Sequence, residues 1–270
     1  SAHAYAAVRI PIQGLLVTET PPTVGLFVTC LVDLFRPSVG FAAVALLERA
    51  GCQVVVPRGQ TCCGQPAYNS GARDIAAGIA RNVIEAFDGL DYVVAPSGSC
   101  AAMLKLHLPG LFENVSASHA RAEHLAERIW ELMSFLIDVR GFTHMPASYN
   151  GGAAYHDGCS GLRELGVRDQ PRRLLSSVDG LELQEIDDAE VCCGFGGAFC
   201  VKYPAISGAM VERKADAIEA AGVRVVLSGE MGCLINIAGT LSRRGSDIEA
   251  RHAAEILAGM TDAPAIGAPK

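Results

Sequence analysis

Apolar positions along this chain fall into short β-branched runs separated by longer stretches of helical periodicity, and the arrangement occurs twice. In the first half the runs are Val24-Gly25-Leu26-Phe27-Val28, Gln53-Val54-Val55-Val56 and Tyr92-Val93-Val94-Ala95. In the second half the clearest are Gly152-Ala153-Ala154-Tyr155 and Val223-Arg224-Val225-Val226-Leu227. Short apolar runs bounded by Gly, Pro and Ser turns read as buried strands. Helical stretches over residues 72–87 and 205–221 precede the last strand of each half. Each half therefore reads strand–helix–strand–helix–strand, an α/β pattern with parallel strands. A further helix is expected over Ser118–Val139, with His119, Glu123, Glu127, Arg128 and Glu131 on a polar face that is either solvated or a docking surface. The expected organisation is a first domain over 22–115, a connecting helix and linker over 116–150, and a second domain over 151–260. The halves are expected to be related by a pseudo-two-fold axis.

Cysteines sharpen the duplication. Cys62-Cys63-Gly64 returns as Cys192-Cys193-Gly194. Cys30 lies upstream of the first pair and Cys100 downstream; Cys159 and Cys233 hold the same places around the second. Offsets between equivalents are 129, 130, 130 and 133 residues, and of the ten cysteines only Cys52 and Cys200 fall outside the scheme. This period is too long for a solenoid and indicates one duplicated unit. In both halves a lone cysteine ends an apolar run, so the cysteines should gather at the carboxyl ends of strands, where α/β sheets place ligands.

Length and charge narrow the partners. A chain of 270 residues can bury a full core. Half of its residues are apolar and 19% are charged, a globular composition. The net charge of −7, with no basic run, does not suggest nucleic acid. The longest apolar stretches fall short of the ~20 residues that cross a bilayer, so no transmembrane segment is expected. The N-terminal residues lack a basic region followed by a long apolar core, so no secretory leader is expected and a cytoplasmic location is.

Ten cysteines in such a chain point to metal binding rather than a disulfide framework. Adjacent cysteines strain a mutual disulfide, and two neighbouring thiolates suit a metal or a metal cluster. Structural zinc usually takes two close pairs such as C-x2-C. Here one pair is adjacent and the other two ligands arrive singly, which favours a [4Fe–4S]-type centre in each half. Zinc remains the alternative. The candidate ligands are Cys30, Cys62, Cys63 and Cys100 for one centre, and Cys159, Cys192, Cys193 and Cys233 for the other.

With its duplicated order and spacing, and with Gln60-Thr61-Cys62-Cys63-Gly64-Gln65-Pro66-Ala67 and Cys192-Cys193-Gly194-Phe195-Gly196-Gly197, the sequence resembles the cysteine-rich CCG-domain family. That family includes the cysteine-rich subunit of heterodisulfide reductase, the iron–sulfur subunit of glycolate oxidase and, nearest in these phrases, the lactate utilization protein A group. The resemblance implies an iron–sulfur electron-transfer subunit of a complex oxidising L-lactate to pyruvate. It implies one or two [4Fe–4S] clusters and two partners, a ferredoxin-like iron–sulfur subunit and a smaller accessory subunit. The family's fullest motif ends in Cys-x-x-Cys, and here the first of those positions is Ser97 in one half and Glu230 in the other. Four cysteines per half put in doubt the five-cysteine clusters of the heterodisulfide reductase relatives and the thiol–disulfide chemistry tied to them. That chemistry stays as one alternative and a zinc-stabilised scaffold as another.

Remaining candidates are read residue by residue. Ser97, Glu230 and His156 are possible auxiliary ligands, and His156 is also a possible relay, with Asp157 placed to fix its tautomer. Cys52 reads as a buried core thiol; Cys200, on a Gly-rich stretch, is more a core thiol than a ligand. Gly64, Gly194, Gly196 and Gly197 permit tight turns beside a bulky group, and their N–H groups are placed to bond cluster sulfur. Asp33 and Arg36 suit an anion or an ion pair. His107, His119, His124, His144 and His252 show no partner pattern. No nicotinamide or flavin fingerprint is present, since the Gly-rich stretch after Cys193 lacks the G-x-G-x-x-G spacing, so neither cofactor is expected on this chain.

Overall fold

A computed structural model describes residues 20–113 and 115–268. The expectation of no secretory leader concerns residues 1–19 and lies outside the described residues.

In the first half, β1 (Thr23–Leu26) leads into α1 (Cys30–Phe35) and α2 (Pro37–Arg49), then β2 (Gln53–Val55). After Cys62-Cys63 come α3 (Gln65–Asn69), α4 (Arg73–Ala86), β3 (Tyr92–Ala95) and α5 (Gly98–Ala102). The half closes with α6 (Ser116–Glu127), β4 (Ile129–Glu131) and α7 (Leu132–Ser134). The second half repeats the plan. It runs β5 (Ser148–Tyr155), α8 (Cys159–Leu165), α9 (Asp169–Leu175) and β6 (Asp179–Gln184). After Cys192-Cys193 come α10 (Ala198–Lys202), α11 (Pro204–Ala220), β7 (Val225–Ser228), α12 (Met231–Arg244), β8 (Glu249–His252) and α13 (Ala253–Ala258).

The strands form two four-stranded parallel sheets of the same order, β2-β1-β3-β4 and β6-β5-β7-β8. Strands such as β1, β3 and β7 are buried on both faces, which is why they read as continuous apolar runs rather than alternating ones. One apolar core joins the halves: Leu46 and Leu47 of α2 belong to the same buried cluster as Ile256 and Leu257 of α13. Two further clusters sit on the outer faces, one per half, around Phe87 and Ile218.

The helix expected over Ser118–Val139 is not continuous. It stops at Glu127; Arg128 caps it, and the chain enters β4, pairing Val94 with Trp130. Ile129 is fully buried as a strand residue beside β3. Its helical periodicity loses to the unpaired edge of β3, whose backbone groups need partners. The fourth strand of each sheet, β4 and β8, was not visible in the pattern.

Strand order turns around between β1 and β3, and again between β5 and β7. The chain goes from β1 to β2 on one side and crosses to β3 on the other. Such switch points leave a crevice at the carboxyl ends of the strands. Cys30 and Cys159 follow β1 and β5, and Cys100 and Cys233 follow β3 and β7, so the lone cysteines stand at the switch point of each sheet.

Candidate metal centre

All eight cysteines of the duplicated scheme line one cavity of about 290 Å³, at the lower edge of the roughly 300–1,000 Å³ usual for ligand sites. The cavity lies between the halves, with Ser97, Ser99 and Glu230 also in its wall. Two close approaches hold its sides together. Helices α5 and α8 meet where a Cβ built on Gly98 would fall 2.7 Å from Gly161 Cα, so only glycine fits there. The Ser97 hydroxyl donates to Glu230 Oε1 and Oε2 at 3.1 and 3.0 Å, and the Ser99 N–H donates to Oε2 at 2.9 Å.

Within each half the thiols pair in the same way. Cys30 donates to the Cys62 sulfur at 3.8 Å, which drives the Cys62 thiol far below its usual range and Cys30 far above it. Hydrogen bonding from Cys159 does the same to Cys192, which also accepts the Gly194 N–H at 3.4 Å. Cys193 and Cys233 lie 2.9 Å apart, and Cys63 is raised chiefly by its hydrogen bond with Cys100. Thiols gathered so closely cannot all ionise unless a cation offsets their charge. Four sulfur donors per half, one of them poised as a thiolate without a metal, form a donor set that fits a thiophilic metal or iron–sulfur centre. The turn after each pair needs positive φ, 86° at Gly64 and 81° at Gly194. A Cβ at Gly194 would also meet the Ser207 carbonyl at 2.6 Å, so glycine lets α11 close against the pair.

Cys52 and Cys200 stand apart. Cys52 lies in the shared core, and the Cys200 sulfur contacts the Gly197 carbonyl at 3.1 Å outside the cavity wall. His156 is fully buried behind Cys193 and Cys233, and burial lowers it to about 3, so the ring is neutral. Asp157 does not fix its tautomer. The carboxylate instead takes both arms of Arg172, at 2.9 and 2.8 Å. Arg36 takes the ion-pair reading: it forms a buried ion pair with Glu255 of the other half at 2.8 Å.

A buried polar layer under the cavity carried no sequence signal. Glu131 and His252 end β4 and β8, and each accepts a backbone N–H from the helix that follows, α7 or α13. Burial pushes Glu131 up to about 7 and His252 down to about 4. Glu131 also raises the buried Tyr155 phenol, which burial already lifts. Their offsets from the last cysteine of each half differ, 31 and 19 residues, so the duplication does not reveal them.

The cysteine-rich CCG domain matches twice, over residues 24–105 and 153–238, a span that holds every candidate ligand. Lactate utilization protein A of Macrococcus caseolyticus is 46% identical over 240 residues, covering 89% of this chain and 98% of the relative. The chain belongs to the lactate utilization protein A family. Lactate utilization protein A of Geobacillus kaustophilus is 49% identical over 87% of this chain and 98% of its own length. Lactate utilization protein A 2 of Bacillus cereus strain Q1 is 43% identical over 87% and 97%. In fold, the chain is similar to a hypothetical protein from Helicobacter pylori, with a TM-score of 0.61 at 11% identity; the match covers 91% of this chain and half of that one. Among the described residues no helix is long and apolar enough to cross a membrane.

Proposed function

We propose that this chain is the iron–sulfur electron-transfer subunit of a cytoplasmic complex that oxidises L-lactate to pyruvate. One observation carries the reading: eight cysteines from two half-domains converge on a single cavity. Cys30, Cys62, Cys63 and Cys100 would hold one [4Fe–4S] cluster, and Cys159, Cys192, Cys193 and Cys233 a second. When bound, such clusters take up and pass on single electrons, at potentials set by charge, burial and hydrogen bonds to sulfur. The residues of the chain supply those settings. Cys63, Cys100, Cys193 and Cys233 are buried and keep water from the inner side, and the Gly194 N–H reaches the Cys192 sulfur.

The names of the relatives support lactate utilization as the setting. On this reading the partners are a ferredoxin-like iron–sulfur subunit and a smaller accessory subunit. Ser97 and Glu230, at the places of a fifth cysteine, spend their polar groups on each other. That favours four-cysteine ligation per half over the five-cysteine, thiol–disulfide alternative. Iron and acid-labile sulfide quantitation of anaerobically purified protein tests the reading; stoichiometric zinc without sulfide would establish the scaffold alternative instead.

A further inference from the structure

The two halves share their cysteines but not the residues behind them. Three residues before Cys159 stands His156, and three before Cys30 stands Phe27. Both are fully buried. Phe27 packs against Phe87, ring centroids 5.7 Å apart. His156 is less settled: the ring interacts with the Ala189 backbone, and neither nitrogen has a side-chain partner. A buried polar group left unpaired is costly, so a ring whose second nitrogen stays open, where a hydrocarbon fits in the sister half, calls for a partner.

The partner is indicated by position. A ring nitrogen of His156 and the sulfurs of Cys193 and Cys233 all lie within 4.8 Å of one another. That spacing leaves the imidazole nitrogen within reach, after small adjustment, of a metal held by either sulfur. A second substitution follows the same division. Gly64 faces Ala76 and Ile79 where Gly194 faces Ser207 and Met210, which sets α11 on α4 with an offset of 131 residues. On that register Lys214 replaces Val83, both buried, and the ammonium donates to the Asp188 and Ala189 carbonyls. The second site is thus polar where the first is hydrocarbon.

We propose that His156 is a ligand of the metal centre in the second half, giving that centre mixed sulfur–nitrogen ligation that the first half cannot make. The proposal rests on the iron–sulfur reading above. The four cysteines already give each iron one thiolate, so His156 adds a neutral nitrogen donor at the iron of Cys193 or Cys233 and changes the potential of that centre alone. The two centres would then be unequal in potential although equal in cysteines.

The test uses the full chain, purified anaerobically, with iron and sulfide counted first. Protein grown with ¹⁵N-histidine is then reduced, and nitrogen hyperfine couplings to the paramagnetic centre are measured. A directly coordinated histidine nitrogen is expected in the wild type and absent in His156→Phe, which copies the first half, while iron content falls by no more than half. The wild-type spectrum decides the question even if the variant does not fold. Full iron and sulfide without a histidine coupling, or a coupling that survives in His156→Phe, would overturn the assignment and leave the iron–sulfur reading standing. Absent iron and sulfide would overturn both.

Discussion

Ser97 and Glu230 stand at equivalent places in the two halves, 133 residues apart, and are hydrogen-bonded to each other at 3.0 and 3.1 Å in the wall of one cavity. The carboxylate also accepts the Ser99 N–H, and burial raises its pKa. Glu230→Ala leaves a hydroxyl and a backbone N–H without their partner. It should lower stability by about 1–3 kcal/mol, read as the urea midpoint, whereas Glu230→Gln keeps an acceptor and should cost less. Equal losses in the two variants would show that the carboxylate is not the clasp.

Glycine at 98 is a contact requirement rather than a turn requirement. A Cβ there meets Gly161 Cα at 2.7 Å and Gly161 N at 3.0 Å, while one on Gly161 meets Gly98 Cα at an ordinary 3.5 Å. Gly98→Ala should cost about 1–3 kcal/mol by forcing α5 and α8 apart, and should lower metal content because these helices carry Cys100 and Cys159. Gly161→Ala should be nearly neutral in both measurements.

The ion pair of Arg36 with Glu255 joins α1 and α2 to α13, and Ser38 adds a bond to the same carboxylate at 2.6 Å. The Glu255 side chain is fully buried. Arg36→Met leaves that charge unpaired and should cost about 3–5 kcal/mol, with much of it recovered in the Arg36→Met, Glu255→Met double variant. Chemical denaturation of the three variants checks this.

Glu131 gives the fold a pH dependence of definite sign. Burial raises its carboxyl from 4.5 to about 7, so between those values the folded chain holds a proton that the unfolded chain has lost. Its contribution is intact below 4.5 and is lost as pH rises through 7, about 3 kcal/mol at 1.36 kcal/mol per unit. His252, lowered to about 4 by burial, works in the opposite direction, destabilising the fold as pH falls below 6.5. The stability difference between wild type and Glu131→Gln isolates the carboxyl. It should shift against the wild type from pH 4.5 to 8, and a constant difference would contradict the assignment.

The parts legible in the sequence were those governed by local pattern or by duplication. Val93 and Val226 lie in runs buried on both faces, and the eight cysteines repeat at nearly one spacing, so strands, sheet type and the grouping of thiols could be read. β4 could not. Ile129-Trp130-Glu131 continues a helical periodicity and becomes a strand only because β3 offers it an edge. Glu131, His252 and Lys214 were invisible for a related reason. Their burial comes from packing between distant segments, and the second half holds Lys214 where the first holds Val83. The partner of Arg36 in its ion pair was invisible for the same reason, since Glu255 lies 219 residues away.

The central claim is that each half holds an iron–sulfur centre on its own four cysteines. Anaerobic iron and acid-labile sulfide analysis with electron paramagnetic resonance tests it most directly, on wild type and on Cys63→Ala and Cys193→Ala. The account predicts iron and sulfide in near-equal amounts in the wild type, and loss of one centre with retention of the other in each variant. Zinc in place of iron with no sulfide, or loss of both centres from either single substitution in a folded protein, would contradict it.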